Sequence, residues 1–142
     1  MSAKITVALE KVAQELEGTS EFSRGFLNTA TGEFVTLFTD HYLDEENMAL
    51  GEEIDASNDY VRLPDQGDID EYSIMEDFAE ATPHAGKRGQ LFRALNGRKP
   101  FRSFKDALYD TGLDEAYYAY RFLALIDIAK AWCEENSIPY TE

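Results

Sequence analysis

A lone cysteine, Cys133, cannot close an internal disulfide, so nothing in the chain calls for an oxidising compartment. There are only two histidines, His41 and His84. With Cys133 they cannot build a transition-metal site of the usual form without carboxylates. Long apolar runs are missing: no stretch approaches the roughly 20 residues of a membrane span. The opening stretch, MSAKITVALEKVAQELEG, has no apolar core and soon turns acidic, unlike a signal peptide. A cytoplasmic protein that does not bind membranes is the expectation. The sequence also lacks a glycine-rich phosphate loop, a G-x-S-x-G elbow, an H-E-x-x-H pair and a C-x-x-C pair. DASNDY and DQGDIDE are rich in oxygen ligands but miss the D-x-[DN]-x-[DN]-G register of a calcium loop. No metal and no cofactor is expected.

Positive charge is scarce. Lys and Arg number 13 against 28 Asp and Glu, giving a net charge of −15. That balance disfavours whole-surface attraction to nucleic acid or anionic lipid, but leaves a local basic patch free to act. The few bases are concentrated. Residues 83–105 hold seven (Lys87, Arg88, Arg93, Arg98, Lys99, Arg102 and Lys105) and no acid, whereas residues 40–80 hold fifteen acids and only Arg62. Three readings follow: the basic segment neutralises the acidic one across the fold or across a dimer, it receives a phosphate group or an acidic partner, or it is solvated charge with no specific role.

An apolar content of 44% and 142 residues suit one folded domain, with a helix-plus-sheet part over 1–64 and a helical part over 65–142. Ile5, Ala8, Leu9, Val12 and Leu16 recur at helical spacing, predicting a helix over 4–17 ended by Gly18. FSRGFL and EFVTLF flank NTATG as a hairpin, with aromatics on a face that packs. Residues 39–58 read equally as a loop or as a short helix around Tyr42, Leu43, Met48 and Leu50. YVRLP is a third strand ended by Pro64.

Helices then dominate. One is capped by Asp68 or Asp70, with Ile69, Tyr72, Met75, Phe78 and Ala79 inward and Pro83 as its stop. A second spans 86–96 with Leu91, Phe92 and Leu95 inward, and a third opens at Pro100 with Phe101, Phe104 and Leu108 aligned. A long helix over 114–136 is apolar around most of its girth, yet carries Arg121 within that arc. Such a guanidinium must pair with an acid of the 70–82 helix, snorkel to the edge, or face a ligand. The fold expected is α+β: an N-terminal helix and a small antiparallel sheet packed on a C-terminal helical group.

Several pieces together resemble a known family. They are Tyr72 with MEDF (Met75–Phe78); then Ala94, Leu95, Gly97, Phe101, Arg102, Phe104, Lys105, Asp106 and Leu108; then Tyr117, Tyr118, Tyr120, Arg121, Ala131, Trp132, Glu134, Glu135 and Ile138. This order is similar to Uncharacterised Protein Family 0158, a set of bacterial proteins of about this size, and covers roughly residues 60–138. Tyr117 stands where the family pattern has Trp, and Cys133 where it has Leu. The resemblance implies membership but no assigned reaction.

Function is therefore read as a non-enzymatic interaction module. Its candidate binding residues are Arg98, Lys99, Arg102 and Lys105, together with Arg121, and its partner is a protein or a phosphate-bearing ligand. Nucleic acid is the rival partner, since LFRALNGRKPFRSFK interleaves aromatics with bases. The spacing disfavours it by turning Phe92, Phe101 and Phe104 inward. A homodimer is a further option. An enzyme using carboxylates and Arg121 is the third reading, but nothing selects one pair from 28 acids.

Overall fold

The computed structural model describes residues 5–40 and 43–142. The expected helix start at residue 4, His41 and Tyr42 lie outside the described residues. The fold is α+β, built as two compact units: Met1–Ile69 with Leu125–Glu142, and Asp70–Ala124. No helix among the described residues is long and apolar enough to cross a membrane.

In the first unit, α1 spans Leu9–Glu17 and buries Leu9, Val12, Ala13 and Leu16 at the expected spacing. It begins later than the periodicity predicted. Val7–Ala8 is instead a short strand, β1, paired in parallel with Tyr140–Thr141 (β5). The Val7 N–H donates to the Pro139 carbonyl at 3.0 Å. The β-branched run Ile5-Thr6-Val7 favours extended backbone, and its partner lies at the other end of the chain, where local periodicity cannot see it.

β2 (Ser23–Asn28) and β3 (Phe34–Phe38) form the expected hairpin, and β4 (Tyr60–Arg62) pairs antiparallel on the other side of β2. Asn28 Oδ1 accepts from the N–H groups of Ala30 and Thr31, and Gly32 takes φ +81, so the side-chain cap and the glycine together close the turn.

The register corrects the expectation of one aromatic face. Leu27 lies opposite Phe34 and Ser23 opposite Phe38, whereas Phe26 lies opposite Val35 on the reverse face. Buried Ser23, Leu27 and Leu63 define the packed side, and Phe22 and Phe38 stay 50% and 41% exposed. Gly25 lies among the packed residues because a Cβ there would stand 2.8 Å from Leu63 Cδ1.

Residues 45–56 resolve as helix α2, Glu45–Ala56. Asp44 accepts from the Asn47 N–H, and Glu45 and Glu46 sit in the first turn, where the helix dipole favours them. Asn47 then accepts from the Phe38 N–H and donates to the Phe38 carbonyl, both at 2.8 Å. One amide side chain thus satisfies both backbone groups at the end of edge strand β3, a polar way of closing an edge. None of α2's residues is buried, which is why its apolar pattern did not decide between helix and loop.

The short helix α3, Gln66–Ile69, follows Pro64. Asp65 and Asp68 each accept the other's backbone N–H across its first turn.

The second unit contains α4 (Glu71–Ala81), α5 (Ala85–Leu95), α6 (Pro100–Thr111) and the first half of α7 (Asp114–Glu135). Asp70 caps α4 through Ser73, and Gly112 ends α6 at φ +72. His84 caps α5: its Nδ1 accepts from the Lys87 N–H at 3.2 Å. The core here is Ile74, Met75, Phe78, Ala79, Leu91, Leu95, Phe104, Leu108 and Tyr117. Ile74 takes the buried place expected for Tyr72, whose hydroxyl instead donates to the Leu95 carbonyl. Phe101 is 48% exposed, against the inward stripe expected of it. Periodicity gives an angle around a helix, not depth along it, and Phe101 sits in the first turn.

Gly25→Ala is expected to cost about 1–2 kcal/mol, because the added carbon overpacks against buried Leu63. In Leu63→Val, with less side chain to meet, the same change should cost clearly less. Urea midpoints of the four proteins test this, and additive losses would show that the close approach is not the cause.

Candidate functional site

The basic segment folds as the α5–α6 corner. Asn96 is the C-cap of α5, and Gly97, Arg98 and Lys99 turn the chain into Pro100, which opens α6 with its φ already helical. Lys99 occupies the left-handed region at φ 51, a conformation that L residues adopt at a cost of roughly 1–2 kcal/mol. Ser103 ties the corner together: its hydroxyl donates to the Arg98 carbonyl at 3.1 Å and its N–H to the Lys99 carbonyl at 3.0 Å.

The electrostatics of this corner break the pattern set by α2 and α4. The α6 N-terminus has no side-chain cap and no acid in its first turn. Arg98, Lys99 and Arg102 crowd the positive end of its dipole, where an anion would be stabilised by roughly 0.3–1 kcal/mol. All four candidate bases, with Lys105, are exposed. Among the described residues none of the four makes a side-chain hydrogen bond or ion pair; of the seven bases over 83–105 only Arg88 does, donating to the Thr82 carbonyl at 2.8 Å. Internal neutralisation by the acidic segment is thus not how these four are used. The unit Asp70–Ala124 holds eight bases and nine acids, and the other unit five and nineteen, so the charge asymmetry follows the division into units.

Arg121 lies elsewhere. Its Nε donates to both carboxylate oxygens of Glu71, at 2.8 and 3.0 Å, and the Tyr117 hydroxyl donates to Glu71 Oε2 at 2.5 Å. Only 17% of the Arg121 side chain is exposed. Of the three alternatives the helical arc left open, this is the pair with an acid of the 70–82 helix, and Glu71 is the member that sequence reasoning did not name. The signal was present: Glu71 is the first residue after the Asp70 cap, on a helix expected to face α7. Burial, and then the adjoining carboxylate, push the Tyr117 hydroxyl far above the ordinary tyrosine range. Phe78, Phe104 and Tyr118 meet the Tyr117 ring edge-on at 5.3–5.4 Å, fixing its position. The cluster is a satisfied structural network with its proton held.

Cys133 is fully buried, and burial pushes its thiol up to about 11. At neutral pH it is a protonated packing group, not a nucleophile. Among the described residues no three of His, Cys, Asp and Glu converge to hold a metal ion.

No family model, curated protein or solved structure matches the chain.

Two outcomes follow from these groups. Glu71→Gln and Arg121→Met should each destabilise by about 1–3 kcal/mol, and the double variant by less than their sum, because one partner alone leaves a part-buried charge unmatched. Strict additivity in urea unfolding would remove the pair's structural role. For Cys133, the folded state holds its proton to higher pH than the unfolded chain, so the contribution is full below about 9 and is lost as pH rises through about 11. Cys133→Ala should flatten the fall in stability over that window by up to about 2 kcal/mol relative to the parent. An unchanged alkaline slope would contradict it.

Proposed function

We propose that the protein is a cytoplasmic, non-enzymatic interaction module whose α5–α6 corner receives an acidic protein or a phosphate-bearing ligand through Arg98, Lys99, Arg102 and Lys105. The supporting observation is that these four exposed bases have no side-chain partner among the described residues, and that Arg98, Lys99 and Arg102 stand at a helix N-terminus with no cap and no acid in its first turn. Exposed charge of one sign at a dipole end of matching sign raises the local potential and steers an anion to the site even from a molecule of net charge −15. Arg121 is occupied by Glu71, so the reading rests on the other four. Membership in the bacterial Uncharacterised Protein Family 0158, whose FR-x-FKD pattern falls on this corner, is part of the same proposal.

Phe101 supports a second reading. Half-exposed between Arg98 and Arg102, it offers a ring on which a nucleic-acid base could stack, which its expected inward position would have denied.

The test compares the parent with a variant carrying Arg98→Glu, Lys99→Glu, Arg102→Glu and Lys105→Glu, both shown to be folded by circular dichroism. Retention of the parent on a phosphate-bearing matrix is expected, released by salt, with the variant passing through. Equal retention would refute the binding corner. A fluorescent single-stranded oligonucleotide separates the two readings: a loss of roughly fivefold or more on Phe101→Ala marks base stacking, and no loss marks phosphate recognition alone.

A further inference from the structure

The first unit contains an open cleft of about 420 Å³, lined by Arg62, Leu63, Pro64 and Asp68 on one side and Ile128, Ala131, Trp132 and Glu135 of α7 on the other. Its volume falls within the roughly 300–1,000 Å³ range of small-ligand sites. The walls are built. The Trp132 Nε1–H donates to the Arg62 carbonyl at 2.8 Å, and reciprocal Asp65–Asp68 backbone bonds hold the β4–α3 turn. Half-buried Ile128 and exposed Ala131 leave apolar surface open to solvent beside the buried Trp132 ring.

The charges decide the ligand. Arg62 is engaged: its guanidinium donates to Asp65, whose carboxyl is held low by the Asp68 N–H and then by Arg62 itself. Asp68 and Glu135 make no ion pair among the described residues. They line the cleft of a unit that carries nineteen acids and five bases. Two carboxylates with no ion-pair partner among the described residues, beside Ile128 and Ala131, fit a cation on an aliphatic stem. An anion would meet both carboxylates and the field of the whole unit.

We infer that this cleft binds a small aliphatic ammonium, its stem against Ile128, Ala131 and Trp132 and its charge on Asp68 and Glu135. The chemistry is shared by a free diamine and by a lysine side chain. The site is separate from the α5–α6 corner and of opposite sign, so it stands or falls independently.

Trp132 is the only tryptophan of the chain and lies in the wall, so its fluorescence reports occupancy directly. The probes are 1,5-diaminopentane, Nα-acetyl-lysine amide and, as the anionic control, glutarate. A saturable change is expected with an ammonium and none with glutarate. The tighter of the two ammonium probes identifies the source as a free amine or a protein side chain. Asp68→Asn, which keeps the acceptor for the Asp65 N–H, and Glu135→Gln should each weaken binding roughly three- to tenfold, and together abolish it. The Trp132 indole N–H resonance verifies that each variant keeps its fold. No saturable change with either ammonium, an equal response to glutarate, or unchanged affinity in the double variant would overturn the inference.

Discussion

Each unit receives from α7 a buried aromatic ring with one polar atom, and the partner of that atom fixes a neighbouring element. In Asp70–Ala124 the ring is Tyr117, whose hydroxyl reaches Glu71, the first residue of α4. In the other unit it is Trp132, whose indole N–H reaches the carbonyl of Arg62, the last residue of β4. Burial of these rings supplies a large apolar gain, but it is conditional: an unpaired hydroxyl or indole N–H in the core costs about 1–3 kcal/mol. The condition converts a non-directional force into a positional one. It also places Glu71 where Arg121 can use it, so the one guanidinium within the apolar arc of α7 is matched without a carboxylate from solvent.

The same logic separates the bases that build from those that do not. Arg121, Arg62 and Arg88 each meet an oxygen at a defined place: the first residue of α4, the turn before α3 and the end of α4. Arg98, Lys99, Arg102 and Lys105 meet none among the described residues, and Lys99 occupies a backbone region that Gly or Asn enters more cheaply. Three bases at an uncapped helix start, one of them left-handed, and a fourth one turn on contribute nothing evident to folding. The proposed binding corner rests on that contrast. The sequence alone could not separate this from internal neutralisation, because charge pairing depends on which faces meet.

Legibility followed the range of the interaction. Helix ends marked by Gly18, Pro83 and Pro100 were readable, since capping and proline geometry act within one turn. So were Val12, Leu16, Phe78, Phe104 and Leu108, whose spacing and burial agree. The β1–β5 pairing was not, because two residues at each end of a chain carry no signal alone. The hairpin was visible but not its faces: register is set by the turn, and a slip of one residue exchanges inside for outside. Asp44 caps α2, a signal the sequence reading did not use, and the helix's exposed, acidic surface offered no apolar stripe to weigh against a loop.

The cleft was invisible for a different reason. Its walls come from residues 62–68 and 128–135, two stretches that each read as ordinary structure: a strand end before a proline, and one face of an apolar helix. Neither contains a motif. Only their packing leaves Asp68 and Glu135 beside the same apolar surface, while Asp65 engages Arg62, the cation that lines the cleft. With 28 acids in the chain any particular pair of carboxylates was unremarkable in sequence, and the excess of acid over base is what gives such a pair its selectivity in space. In a unit of this charge a cation gains from the distant acids as well as from the two it touches. The chemistry of the site therefore belongs partly to residues that never line it.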